Sequence, residues 1–202
     1  MKSIYEIYLT GVGGQGIIRV STIIGEAAMK KGLRVVMSEL HGMAERGGVV
    51  TTEMKIGSAS SALIQKGNAD LLLALEPVEA LRSLEKVGPS TTAIVNSAPI
   101  IPFTVSLGIS SYPDVSQIIT ELQAKIKNLF ILDALDLARK AGDLITLNIV
   151  MLGAAAAIPG FPVEEELLLA SMKETLPGST IEVNSAAFKN GYEAILAGMS
   201  RK

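Results

Sequence analysis

Three observations in the 202-residue sequence predict an α/β fold, Rossmann-like and doubly wound, with a mostly parallel sheet and helices on both faces. Short apolar runs alternate along the chain with stretches whose apolar residues recur about every 3.6 positions. A glycine loop, Gly11-Val12-Gly13-Gly14-Gln15-Gly16, joins the first apolar run to the first helical stretch. Leu71–Leu75 is apolar without interruption, the pattern of a central parallel strand covered on both faces. Parallel neighbours need crossover connections, and crossovers put helices against both sides of the sheet.

Taken in order, Ile4–Leu9 reads as a strand and Gln15–Lys31 as a helix with Ile17, Ile18, Ser21, Ile24, Gly25 and Ala28 on one face. Gly32 caps that helix before a second strand, Leu33–Ser38, and Glu39–Gly48 is a loop with its own glycines. Val49–Ile56 alternates, with Val50, Thr52, Met54 and Ile56 on one side, as a half-exposed strand does. Ser60–Lys66 reads as a short helix ended by Gly67. The Leu71–Leu75 strand stops at Glu76, and Pro77 opens a helix to Lys86. Thr92–Val95 is a strand, and Ile100–Ser106 is a further strand candidate despite Pro99 and Pro102. Asp114 caps a helix bearing Val115, Ile118, Ile119, Leu122 and Ile126. Leu129–Leu132 is a strand, Ala134–Ala141 a helix and Leu147–Ile158 a buried helix, and Glu164–Leu176 and Ala186–Met199 complete a helical C-terminal part. With no repeat, low-complexity tract or long linker, one domain over residues 1–202 is expected.

Composition narrows the function classes. Eighteen basic and 20 acidic residues give a net charge of −2 with no basic tract, and aromatics are 4% with no Trp, which argues against nucleic acid as a partner. The absence of cysteine excludes disulfides, thiolate chemistry and any iron–sulfur cluster or zinc held by cysteine in this chain. The longest apolar run, Leu144–Ile158, falls short of the roughly 20 residues that span a bilayer and carries Asn148. Met1–Glu6 has no long apolar stretch of the signal-peptide kind, so the cytoplasm is the expected compartment. A mean hydropathy of +0.41 leaves two explanations, apolar surface covered by another subunit or an Ala- and Leu-rich core.

Gly11, Gly13 and Gly16 satisfy G-x-G-x-x-G between a strand and a helix, where backbone amides and the helix dipole favour a phosphate. A tight turn with no ligand remains the other reading. A dinucleotide site also wants an acid at the end of the second strand. Glu39 lies near that place but late, which keeps a freestanding NAD-type oxidoreductase or a plain nucleotide-binding module open as alternatives. The loop His41-Gly42-Met43-Ala44-Glu45-Arg46-Gly47-Gly48 holds the only histidine, an Arg46 fork suited to carboxylate or phosphate, and glycines that let the backbone approach a ligand or partner. It reads as a binding element more readily than as a catalytic centre. Glu76, Asp133 and Asp136 fall near strand ends, where helix capping competes with a role in the cleft. Glu164-Glu165-Glu166 suits a helix start. Asn148 with Met151-Leu152-Gly153-Ala154, and Asn184 with Phe188 and Gly191, read as close helix packing.

Jointly these stretches resemble the gamma-type subunit or domain of the 2-oxoacid:ferredoxin oxidoreductases, over nearly the whole chain. The likeness rests on Gly11–Gly16, Ser38–Gly48, Ala69-Asp70-Leu71-Leu72 before Glu76-Pro77, Asn148 through Gly153-Ala154, and Asn184 through Phe188 and Gly191. Pyruvate- and 2-oxoglutarate-type members usually carry tyrosine-glycine-proline in the second motif. His41-Gly42-Met43-Ala44 looks more like the beta subunit of the indolepyruvate branch, with Glu45 replacing a glutamine often found there. The resemblance implies oxidative decarboxylation of a 2-oxoacid, an aryl pyruvate such as indolepyruvate, with coenzyme A as co-substrate and ferredoxin as acceptor. It also implies that thiamine diphosphate, its Mg2+ and the iron–sulfur clusters sit on a catalytic partner subunit, so that the chain alone is inactive. Gly11, Gly13, Gly14, Gln15, Gly16, Arg46, Gly47 and Gly48 are then the expected cofactor contacts, to coenzyme A phosphates, and His41, Met43, Glu76 and Asn148 the active-site entrance or partner contact. No catalytic or metal-binding residue is expected in this chain.

Overall fold

The computed structural model describes residues 3–42 and 48–200. The chain runs β1 (Ile4–Val12), α1 (Ile17–Lys30), β2 (Val35–His41), β3 (Val49–Gly57), β4 (Leu71–Ala74), α2 (Pro77–Arg82), β5 (Thr92–Asn96), α3 (Phe103–Ser106), α4 (Val115–Lys125), β6 (Asn128–Leu132), α5 (Ala134–Ala141), α6 (Leu147–Ala156), α7 (Glu165–Thr175) and α8 (Ile181–Met199). The strands form one sheet in the order β2-β3-β1-β4-β5-β6. β1, β4, β5 and β6 are parallel, as their apolar runs predict, while β3 is antiparallel to both β1 and β2.

Helices cover both faces because the parallel strands are apolar on both. In β4, Leu71 and Leu73 face a core with Ile7 and Leu9 of β1, Ile17 and Ile24 of α1, and much of α6 and α8. Leu72 and Ala74 face the other core, with Ala80 of α2 and Ile118 and Leu122 of α4. Each leucine of β4 is fully buried, which contributes up to about 2 kcal/mol per side chain. The chain leaves β1 into α1 on the first face and leaves the adjacent β4 into α2 on the second. The connections at the carboxyl ends of β1 and β4 therefore go to opposite faces, the switch point at which such folds place a ligand crevice.

The second strand runs on through Glu39–His41, which the sequence assigns to the loop, because these residues pair with Val50–Thr52 of β3, and two further predicted elements are absent. Ser60–Lys66 is not helical: Ile64 donates its backbone N–H to the Glu53 carboxylate and accepts from Lys86 Nζ at 2.8 Å. Side chains from other elements thus satisfy the backbone that a helix would have satisfied internally. Ile100–Ser106 is not a strand: Pro102 precedes the four-residue α3, and the Ile100 N–H goes to a Glu76 carboxylate oxygen at 3.4 Å instead of to a neighbouring strand. α8 also starts earlier than its apolar pattern suggests, at Ile181.

The buried helix α6 lies against α8 at backbone distance. A Cβ on Gly153 would stand 1.9 Å from the Phe188 carbonyl oxygen, and one on Gly191 would stand 1.9 Å from the Val150 carbonyl oxygen. These glycines serve the close packing read from the sequence. Among the described residues, no helix is long and apolar enough to cross a membrane. Replacing Gly153 by alanine gains about 1 kcal/mol of helix propensity but forces a methyl into a carbonyl that cannot move aside. Gly153→Ala is expected to lower stability by about 2 kcal/mol net, read from the urea midpoint. An unchanged midpoint would show that the two helices separate freely.

Candidate functional site

The glycine loop fills the mouth of the crevice and is tied down on every side. Gly11 and Val12 end β1, and the Val12 N–H donates to Gln15 Oε1 at 2.8 Å. Gln15 Nε2 in turn donates to the Leu75 carbonyl at 2.7 Å, spanning the gap between the ends of β1 and β4. Gly13 donates to the Gly48 carbonyl at 2.8 Å, joining the loop to the start of β3. Gly14 and Gly16 have φ of +97° and +79°, a left-handed conformation that glycine adopts without strain. Packing adds a second reason at two positions. A Cβ on Gly11 would come within 2.5 Å of Gln15 Oε1, and one on Gly16 within 2.3 Å of Asn148 Nδ2.

Asn148, in the first turn of α6, is therefore seated over Gly16, with a long 3.5 Å hydrogen bond to its carbonyl. Beyond the loop lies a cleft of about 640 Å³, lined by residues 12–19, Thr22, His41, Val50, Ile145, Asn148 and Thr175. One end presents the first turn of the 14-residue α1, whose leading amides have no partner within the helix, and Arg19 stands beside it. Ile18, Val50 and the largely exposed Ile145 form an apolar wall. Among the described residues no carboxylate lines the cleft, so its field favours an anion. His41 Nε2 faces Glu39 Oε2 at 3.3 Å on the edge strand.

The structure thus brings together Gly13, Gly14, Gln15, Gly16, His41 and Asn148 in the lining, with Gly11 packed beneath and Gly48 bonded to Gly13. Glu76 is not in the lining. It is 1% exposed, and its Oε2 accepts the Glu79 N–H at 3.0 Å to cap α2. Its Oε1 accepts from the Ile100 N–H and the Tyr112 hydroxyl. Burial first, and then the Glu76 carboxylate, hold the Tyr112 hydroxyl above its ordinary pKa. Burial likewise raises Glu79, against the lowering effect of Arg82. Met43, Arg46 and Gly47 lie outside the described residues. Asp133 and Asp114 cap α5 and α4, as their positions suggest. Ile18, expected on the core face of α1, is 38% exposed and turns to the cleft instead.

Sequence reasoning missed Arg19, Thr22, Thr175 and Ile145. Arg19 and Thr22 fall between the core positions of α1, so its periodicity could have singled them out. Thr175 and Ile145 are brought in by tertiary packing and carry no local signal.

Residues 6–194 match the family described as Pyruvate ferredoxin/flavodoxin oxidoreductase. The Indolepyruvate oxidoreductase subunit IorB of Methanothermobacter thermautotrophicus is 50% identical over 94% of this chain and 97% of its own length. The 2-oxoglutarate synthase subunit KorC of Methanothermobacter marburgensis is 27% identical over 96% of this chain and 97% of its own. The crystal structure of a keto/oxoacid ferredoxin oxidoreductase gamma subunit from Geobacter sulfurreducens is similar, with a TM-score of 0.71 and 28% identity, over 96% of this chain and 99% of that one. The chain belongs to the pyruvate ferredoxin/flavodoxin oxidoreductase family, which bears out the resemblance read from the motifs.

Removing the Gln15 amide tests the loop's construction. Gln15→Ala leaves the buried Val12 N–H without its acceptor and cuts the link to Leu75. A loss of about 1–3 kcal/mol is expected in chemical denaturation. Stability equal to the parent's would mean that the loop does not depend on this bridge.

Proposed function

We propose that this chain is the subunit of a 2-oxoacid:ferredoxin oxidoreductase that carries neither clusters nor thiamine, assisting oxidative decarboxylation of an aryl pyruvate such as indolepyruvate to acyl-CoA and carbon dioxide. The observation that carries the reading is the 50% identity to an indolepyruvate oxidoreductase subunit over 94% of this chain. The cleft at the glycine loop supports it.

Thiamine diphosphate with its Mg2+ supplies decarboxylation, and iron–sulfur clusters pass electrons to ferredoxin, both on the partner subunit in this reading. A chain without cysteine has no thiolates for the usual clusters. This chain's own part is to bind and orient coenzyme A. Its phosphates fit the end of the cleft formed by Gly13, Gly14, Gly16 and the first turn of α1, where amides and Arg19 converge. Its uncharged arm fits the wall of Ile18, Val50 and Ile145. Gln15 and Asn148 hold the loop in place rather than reacting. His41, at the rim, is the residue placed to meet the partner. The isolated chain is inactive.

Reconstitution with the thiamine-diphosphate subunit, followed by coenzyme A-dependent reduction of ferredoxin, tests this. Activity on indolepyruvate above that on pyruvate or 2-oxoglutarate is expected, and none from the chain alone. In the complex, Arg19→Ala should raise KM for coenzyme A about tenfold, the loss of one charge-assisted contact of about 1.4 kcal/mol, while KM for the 2-oxoacid stays put. Equal effects on both Michaelis constants would remove coenzyme A from the cleft.

A further inference from the structure

On leaving β5 the chain does something unusual for a surface segment. From Ser97 to Pro113 it contains no Asp, Glu, Lys, Arg or His. Within this uncharged stretch Ile100, Ile101, Phe103, Leu107 and Ile109 are 39, 49, 74, 56 and 72% exposed. Five such side chains present roughly 500 Å² of apolar surface in one continuous segment, a size at which a patch marks an interaction site. A standard interface buries about 800 Å² on each partner, so this segment supplies more than half of one side.

The segment is built, not slack. Both of its ends are held by one buried group: Glu76 Oε1 accepts from the Ile100 N–H at one end and from the Tyr112 hydroxyl at the other. Within it, Leu107 donates to the Phe103 carbonyl at 3.1 Å, Ile109 donates to the Thr104 carbonyl at 2.9 Å, and Ser110 Oγ donates to Thr104 Oγ1 at 2.8 Å. The backbone is satisfied locally, and the apolar side chains are left pointing outward. This is the construction of a compact Ω-loop with its ends drawn together. Leaving these side chains in water has a cost that burial against another protein removes.

We propose that residues 99–112 are the surface on which the thiamine-diphosphate, iron–sulfur subunit docks. The proposal rests on the subunit reading above and adds its location. The choice of occupant follows from position and chemistry. Glu76, which anchors the loop, directly follows Leu75, whose carbonyl holds Gln15 of the glycine loop. A protein seated on the loop therefore stands at the same end of the sheet as the cleft, where the subunit bearing the reacting centre has to be. A second copy of this chain would bring no reacting centre there. The lack of charge calls for an uncharged, apolar facing surface, which is the character of a permanent interface.

The test is affinity purification of the tagged chain co-expressed anaerobically with the thiamine-diphosphate, iron–sulfur subunit of the same organism. The parent is compared with Phe103→Asp/Ile109→Asp and with Leu196→Asp, an exposed apolar site on α8. The expected result is at least a tenfold loss of recovered complex for the double variant alone, with its thermal midpoint unchanged. If the parent forms the complex and the double variant does so equally well, the docking assignment is overturned and the subunit reading stands. Should the parent fail to recover the large subunit at all, the subunit reading falls and the assignment falls with it. A parent homodimer that the double variant dissolves, while the large subunit still binds that variant, would give the surface to a second copy and also overturn the assignment.

Discussion

The carboxyl edge of the parallel strands is held by side-chain amides, and the rest of the structure hangs from that row. Gln15 links Val12, at the end of β1, to the carbonyl of Leu75, just past β4. Asn96, at the end of β5, donates to the same carbonyl at 3.0 Å. The Asn96 Oδ1 then accepts the N–H of Ala134 at 3.2 Å, where α5 begins after β6. Two amide side chains thus add to the backbone bonds from Leu75 N–H to the Thr10 carbonyl and from Ser97 N–H to the Leu132 carbonyl in tying four strand ends together. Each such bond is worth about 1 kcal/mol net, but leaving its buried groups unpaired costs about 1–3 kcal/mol apiece. The network is therefore kept whole or lost together. Two surfaces follow from it: the glycine loop is pinned on one side of Leu75, and the apolar loop is pinned by Glu76 on the other.

The position of β3 decides what the glycine loop is for. In a dinucleotide site the acid that binds ribose stands on the strand next to β1 on the α1 side. Here the chain turns back after β2 and inserts β3 between β1 and β2. Glu39 is thereby moved one strand outward, pairs across to Thr52, and faces His41 instead of the cleft. The glycines remain, and so does the helix start, but the acid does not line the cleft. In the proposed reading the loop contacts phosphate without selecting a ribose. That suits a ligand held by phosphates at one end and by apolar contact along the rest.

The parallel half of the fold was legible because its signals are local. Leu71–Leu75 and the caps at Asp114 and Asp133 each carry their physics within a few residues, and so does the alternation in the antiparallel Val49–Ile56. The failures share one cause. Ser60–Lys66 has a helical composition, yet Glu53 and Lys86, from outside the segment, bond the backbone of Ile64 and no helix forms. Ile100–Ser106 has the apolar character of a strand, but Pro102 leads into α3 and Glu76 takes the amide of Ile100. In the site, the glycines announced the loop, while Ile145 and Thr175 arrive only through packing of the C-terminal helices. Glu76 was legible as a residue of note at a strand end, but not as the anchor of a loop some twenty-five residues on, because its partners are chosen by tertiary contact.

The high mean hydropathy of +0.41 had two competing explanations, and the structure places apolar residues both in the core and on the surface. α6 is apolar around its whole circumference and every residue from Asn148 to Ala155 is buried, so it adds to hydropathy without adding to surface. The segment around Phe103 does the reverse, keeping apolar residues outside on a backbone whose bonds are already made. Composition cannot separate these cases, since both are written in the same residues. What separates them is where the hydrogen bonds go. A helix interior such as α6 satisfies its own backbone and buries its side chains against the sheet and α8. The 99–112 loop satisfies its backbone through Glu76 and its own turns, and it leaves Phe103 and Ile109 largely exposed. The fold hides the helix unaided, whereas the loop keeps Phe103 and Ile109 in solvent, which is the observation the proposed docking surface rests on.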